Sequence, residues 1–98
     1  MISGVFYKGA DIRVELQTEV YIDTESFSAY ILAKFPDGTV IEYEAGVADF
    51  STVTTTIPAA NNTLAGEIFL QAKLVNGDLS YVGETESLVI FDPFVVPP

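Results

Sequence analysis

Ala29-Tyr30-Ile31-Leu32-Ala33-Lys34-Phe35-Pro36-Asp37-Gly38-Thr39-Val40-Ile41-Glu42-Tyr43-Glu44-Ala45 reads as two extended segments joined by a tight turn. Ala29, Ile31, Ala33 and Phe35 share one face of the first segment, because side chains alternate with period two along a strand. Its second face carries Tyr30, Leu32 and Lys34 and is apolar enough to be covered. Proline presets φ at the second turn position and glycine accepts positive φ at the fourth, so Pro36-Asp37-Gly38 closes a turn. The return segment points Ile41, Tyr43 and Ala45 inward and Glu42 and Glu44 outward. The result is a β-hairpin.

The same period continues in both directions. Ile12, Val14 and Leu16 alternate with Asp11, Arg13, Glu15 and Gln17, which predicts a half-buried strand at 10–18. Residues 50–57 are rich in Thr and Val, types that favour extended backbone. Residues 58–63 read as a loop, with one helical turn expected around Asn62 to Ala65 and ended by Gly66. Ile68, Leu70, Ala72 and Leu74 then line one face of a strand, and Glu67, Phe69, Gln71 and Lys73 the other. Asn76-Gly77-Asp78 is a hairpin turn signal. Tyr81 and Val82 follow it, and 85–91 is expected as a last strand carrying Val89 and Phe91. About seven short strands with turns between them predict an all-β, antiparallel sandwich spanning 1–98 as one domain. An extended tail at 93–98 is set apart by its prolines, which remove ladder donors.

The chain has 98 residues, with 14 acidic side chains against 4 basic ones and a formal charge of -10. Lys8, Arg13, Lys34 and Lys73 are dispersed, so no basic footprint exists for phosphate backbones, and nucleic acid is not an expected partner. An anionic membrane surface would repel the chain. No apolar run is long enough for a membrane-crossing helix, and the N-terminus lacks the pattern of a signal peptide. Yet 49% of residues are hydrophobic. High apolarity beside high negative charge predicts one solvated face and one adhesive face, or else a very full core.

Chemistry is sparse. There is no cysteine, histidine or tryptophan, which removes disulfides, thiolate metal sites and every imidazole base. Glycine-rich phosphate loops are absent from the sequence. Glu42 with Glu44, and Glu84 with Glu86, are spaced to share a strand face, but outward glutamates ordinarily keep a strand solvated, and glycosidase pairs also need a cleft. Asp11, Asp23, Asp49, Asp78 and Asp92 are too scattered for a compact calcium loop. No catalytic, cofactor or metal residue is expected. Tyr43 and Phe35 read as core, whereas Tyr7, Tyr21, Tyr30, Phe50 and Tyr81 fall at strand ends or on second faces. Tyr30, Phe69 and the tail residues Phe94, Val95 and Val96 are the expected protein-interface residues, the tail by docking on a neighbouring subunit. Exposed aromatics also serve sugar-binding modules, so a carbohydrate-binding or adhesion module is the alternative.

Four pieces occur in a familiar order: Gly9 before an alternating strand, Phe35-Pro36-Asp37-Gly38-Thr39, Leu64-Ala65-Gly66-Glu67-Ile68-Phe69-Leu70-Gln71-Ala72, and Val82-Gly83-Glu84-Thr85-Glu86-Ser87-Leu88-Val89-Ile90-Phe91. The chain thereby resembles small immunoglobulin-like β-sandwich structural proteins of tailed bacteriophages, including the N-terminal domains of baseplate adaptor subunits. The resemblance implies a non-enzymatic virion protein of a head, neck, tail or baseplate, made in the host cytoplasm. It implies other virion proteins and further copies of the chain as partners. The inter-sheet disulfide and buried tryptophan of antibody domains are missing, and Leu64 to Phe69 contains no tyrosine for a tyrosine corner.

Overall fold

The computed structural model describes residues 2, 4–18, 27–49 and 51–92. Among them the chain forms nine strands: β1 (Phe6–Tyr7), β2 (Ile12–Gln17), β3 (Ser28–Lys34), β4 (Val40–Glu44), β5 (Gly46–Asp49), β6 (Thr52–Ile57), β7 (Gly66–Asn76), β8 (Leu79–Val82) and β9 (Glu86–Phe91). They make two sheets. One is six-stranded in the order β1-β9-β7-β3-β4, with β8 also paired to β7; the other is three-stranded in the order β2-β6-β5.

The hairpin that opens the sequence reading is β3 and β4, with Ile31 opposite Tyr43 and Ala33 opposite Ile41. Gly38 lies at φ 88° and its N–H donates to the Phe35 carbonyl at 2.9 Å. That is the left-handed conformation only glycine adopts without strain. The Thr39 N–H donates to the Asp37 carboxylate at 3.0 Å, which closes the turn a second time.

Alternation places one core between the sheets. Ile12, Val14, Leu16, Val53 and Ile57 face it from the smaller sheet. Ala29, Ile31, Ala33, Ile68, Leu70, Ala72, Leu74, Leu88 and Ile90 face it from the larger one. Ile31, Ile68 and Leu70 are fully buried, as the period-two pattern requires. Phe35 joins the core, and Tyr43 packs against it from a half-buried position. The chain passes between sheets within one residue. β4 belongs to the larger sheet and β5 to the smaller, and at the crossing Ala45 N–H donates to the Ala29 carbonyl at 2.9 Å.

Two expectations are corrected. The larger sheet is mixed rather than antiparallel, because β1 runs parallel to β9, pairing Phe6 with Ile90 and Tyr7 with Phe91. A segment entering beside the last strand from the same end must pair in parallel. The helical turn sits at Ala59–Asn61 as a 3-10 turn, not at 62–65. Pro58 caps it at φ -68°, where a missing N–H costs nothing.

The last expected strand forms as β9, and its pairing sets its phase. Leu88 and Ile90 are buried, while Phe91 is 49% exposed and Val89 is half-buried on the outer side. Lys73 pairs with Val82, but Leu70 pairs with Glu86. Two β7 residues, Gln71 and Ala72, thus lie opposite three, Gly83 to Thr85. This is a β-bulge, and one extra residue moves every later side chain to the opposite face. Gly83 holds it in place: its N–H donates to Ala72 and its carbonyl accepts from Gln71 Nε2.

Candidate protein-binding face

The two sheets present different faces to solvent. On the smaller sheet the outward positions are Arg13, Glu15 and Gln17 of β2 and Thr52, Thr54 and Thr56 of β6, all polar. The larger sheet turns out Tyr7, Tyr30, Leu32, Val40, Phe69, Val82, Val89 and Phe91. The polar and the more apolar outer surfaces thus belong to different sheets.

Pairing register fixes the arrangement of this face. Lys34 lies between Val40 on β4 and Phe69 on β7. Leu32 lies between Glu42 and Gln71, and Tyr30 between Glu44 and Lys73. Leu32, Val40, Phe69, Gln71 and Thr85 border a shallow apolar depression of about 390 Å³, to which Lys34 also contributes. Phe69 is 41% and Val40 59% exposed, values far from those of a packed core. Lys34, Gln71 and Thr85 interrupt the apolar side chains around the depression.

Charge on the face is nearly balanced. The outward charged residues of its strands are Lys34 and Lys73 against Glu42, Glu44 and Glu67, with Glu86 opposite inward Leu70. Lys73 Nζ pairs with Glu42 Oε2 at 3.0 Å and lies 5.9 Å from the centre of the Tyr30 ring. One lysine thus braces both an acidic neighbour and the aromatic ring. Glu42 is part of this pair rather than a free solvating group. Glu44 stays exposed, and its carbonyl accepts from Thr55 Oγ1 at 2.8 Å.

Tyr30 and Phe69, the interface residues expected from sequence, thus project from one face. Phe94, Val95 and Val96 lie outside the described residues, as do Tyr21, Phe50 and Asp23. Tyr7 was expected at a strand end or on a second face; Val40, Val82 and Phe91 were not expected there. For Val40 the signal was available, since inward Ile41 and Tyr43 force their neighbours outward. For Phe91 it was hidden by the bulge.

Among the described residues no three His, Cys, Asp or Glu side chains gather to hold a metal ion. Glu84 lies between β8 and β9 and Glu86 begins β9, and both line one small pocket beside Leu16. The shifted ionisations have local structural causes. The Thr39 N–H holds the Asp37 carboxyl below its ordinary value, and the Ser51 N–H, at 2.9 Å, does the same for Asp49. Burial pushes the Tyr43 hydroxyl up, and that hydroxyl donates to Asn61 Oδ1 at 3.0 Å. Among the described residues no helix is long and apolar enough to cross a membrane. No protein-family model matches the chain, and no curated protein matches it.

Proposed function

We propose that the chain is a structural or adaptor subunit of a tailed-bacteriophage virion, working through protein–protein contacts, with the outer face of the larger sheet as its contact surface. The observation that carries this reading is the apolar face around Leu32, Val40 and Phe69 on a chain of charge -10. Strand order supports the immunoglobulin-like part of it. The second, sixth and fifth strands share one sheet, while the last, seventh, third and fourth share the other. That is the B-E-D and G-F-C-C′ division of immunoglobulin-like sandwiches.

Self-association suits the same face. Strand spacing of about 4.8 Å and a rise of about 3.3 Å per residue give it an area of about 500 Å². Two copies would then bury about 1,000 Å² in total, the lower limit for a specific interface. The near-balance of charge on this face lets two strongly acidic chains meet there with the least repulsion. The tail residues Phe94, Val95 and Val96 add apolar contact area in this reading.

Size-exclusion chromatography with light scattering tests it. The protein should run as a defined oligomer, and Phe69→Ser with Val40→Ser should return it to monomer with an unchanged circular dichroism spectrum. A wild-type monomer that binds on a glycan array would replace this reading with the carbohydrate-binding one.

A further inference from the structure

Among the described residues three of the four basic side chains stand beside an acid: Lys8 with Asp92, Arg13 with Glu15 and Lys73 with Glu42. Lys34 is the fourth, and no acid pairs with it there. It ends β3 on the outer face of the larger sheet, with Val40 on one side and Phe69 on the other. Glu67 stands on the same face, two residues before Phe69 along β7 and beside Val89 of β9. It is exposed, and among the described residues no base pairs with it either. Two opposite charges without counter-ions thus flank the Phe69 ring.

Whatever covers Phe69 and Val40 also takes water from Lys34 and Glu67. A charge that loses water without gaining a counter-ion opposes association. An occupant of this face must therefore bring an acid to Lys34 and a base to Glu67. A second copy carries both, already at the required spacing. Strand spacing of about 4.8 Å and a rise of about 3.3 Å per residue put Lys34 and Glu67 about 8 Å apart, diagonally across β3 and β7. When two such faces meet, the two-fold axis that exchanges these positions passes within about 2 Å of Phe69 on the same spacings. Ring then meets ring, and Leu32 comes over the second copy's Val89. The strands of the two copies cross at about 70°, near the orthogonal class of sheet packing. Lys73 and Glu42 need nothing from the second copy, because they pair with each other. Glu44 ends β4 at the margin of the sheet and is exposed, where solvent can keep it.

We infer that two copies of this chain meet face to face across a two-fold axis at Phe69, with Lys34 of each copy paired to Glu67 of the other. The contact is isologous, so one surface supplies both halves of two equivalent ion pairs. Phe69, Leu32 and Val89 supply apolar contact, and the reciprocal pairs fix the register and reject partners that lack the same charge spacing. This arrangement rests on the self-association reading and adds to it the symmetry and the residues that select the partner.

The test is sedimentation equilibrium of the full chain and of Lys34→Glu, Glu67→Lys and Glu44→Lys. Lys34→Glu and Glu67→Lys each set like charges against each other twice across the axis, so each should weaken self-association at least about tenfold. Glu67→Lys also lowers the negative charge of the chain, so general repulsion between copies would instead make it associate more tightly. Glu44→Lys makes the same change in charge and should not weaken association. Mixing Lys34→Glu with Glu67→Lys should restore it, because both pairs are then complementary in the mixed species. An ion pair between Lys34 and Glu67 within one chain would be lost in both variants and would not return on mixing. If Lys34→Glu does not fold, Glu67→Lys against Glu44→Lys decides. A wild-type chain that associates while both single variants associate equally well overturns the reciprocal pair and leaves the self-association reading standing. Weakened single variants that mixing does not restore overturn it as well. A monomeric wild-type chain overturns the pair and the self-association reading together.

Discussion

The Asn62 side-chain amide donates to the main-chain carbonyl of Tyr7 at 2.8 Å, across 55 positions of sequence. The same nitrogen reaches the Ala10 carbonyl at 2.9 Å, and the Asn62 carbonyl accepts the Gly9 N–H. Asn62 is almost fully buried, so it ties the turn between β1 and β2 to the loop before β7. Asn62→Ala leaves two carbonyls without this donor. We expect a loss of about 1–3 kcal/mol in chemical denaturation, well above that of Asn61→Ala, whose carboxamide accepts from the part-buried Tyr43 hydroxyl. Equal losses would show that Asn62 is not the tie.

Leu70 and Phe69 are neighbours with opposite roles. Leu70 is fully buried between the sheets, while Phe69 stands on the outer face. Leu70→Ala should cost about 2–5 kcal/mol by removal of core contacts. Phe69→Ser should cost less than about 1 kcal/mol in the monomer, as most surface substitutions do, and act instead on self-association. Thermal melts beside light scattering separate the two effects. A large melting loss for Phe69→Ser would place that ring in the core.

The bulge gives a deletion test. Thr85 is exposed and lies between strands, where removal of a single residue is ordinarily tolerated. Here deletion of Thr85 removes the extra residue opposite Gln71 and Ala72. Either Leu88 and Ile90 leave the core or β9 slips against β7. We expect loss of the cooperative unfolding transition, whereas deletion of Asp78 from the β7–β8 turn should keep it. A cooperative Thr85 deletion with native-like melting would mean that the bulge does not set the phase of β9.

Acid should loosen two exposed turns. Asp37 and Asp49 each accept a main-chain N–H, which holds their carboxyls below the ordinary aspartate value of 3.8. A depressed folded-state value stabilises the fold above the unfolded value, and that contribution disappears as pH falls through the folded one. Amide exchange at Thr39 and Ser51 should therefore rise below pH 3.8. Asp37→Asn and Asp49→Asn should flatten that rise. An identical pH response in both variants would assign the acid sensitivity elsewhere.

The strands of this protein are legible in its sequence wherever one face is apolar and the other is not. Ile12, Val14 and Leu16, and Ile68, Leu70 and Leu74, declare their inward phase because burying a charge between them would be costly. The Pro36–Gly38 turn is equally local, since two residue types preset its dihedrals. Interface candidates Tyr30 and Phe69 were legible for the same reason, as apolar residues left over on the outward phase. What the sequence could not decide was the phase of β9. Val89 and Phe91 alternate as plausibly as Leu88 and Ile90, and only the unequal pairing with β7 across Gly83 to Thr85 chooses between them. Nor could it decide the parallel placement of β1 on β9, the passage of the chain between sheets at Ala45, or the gathering of outward apolar residues from six strands onto one surface. Period two records which side of its own strand a residue occupies. Which strands lie side by side depends on hydrogen bonds between segments far apart in the chain, and those form only when the two sheets close on their common core.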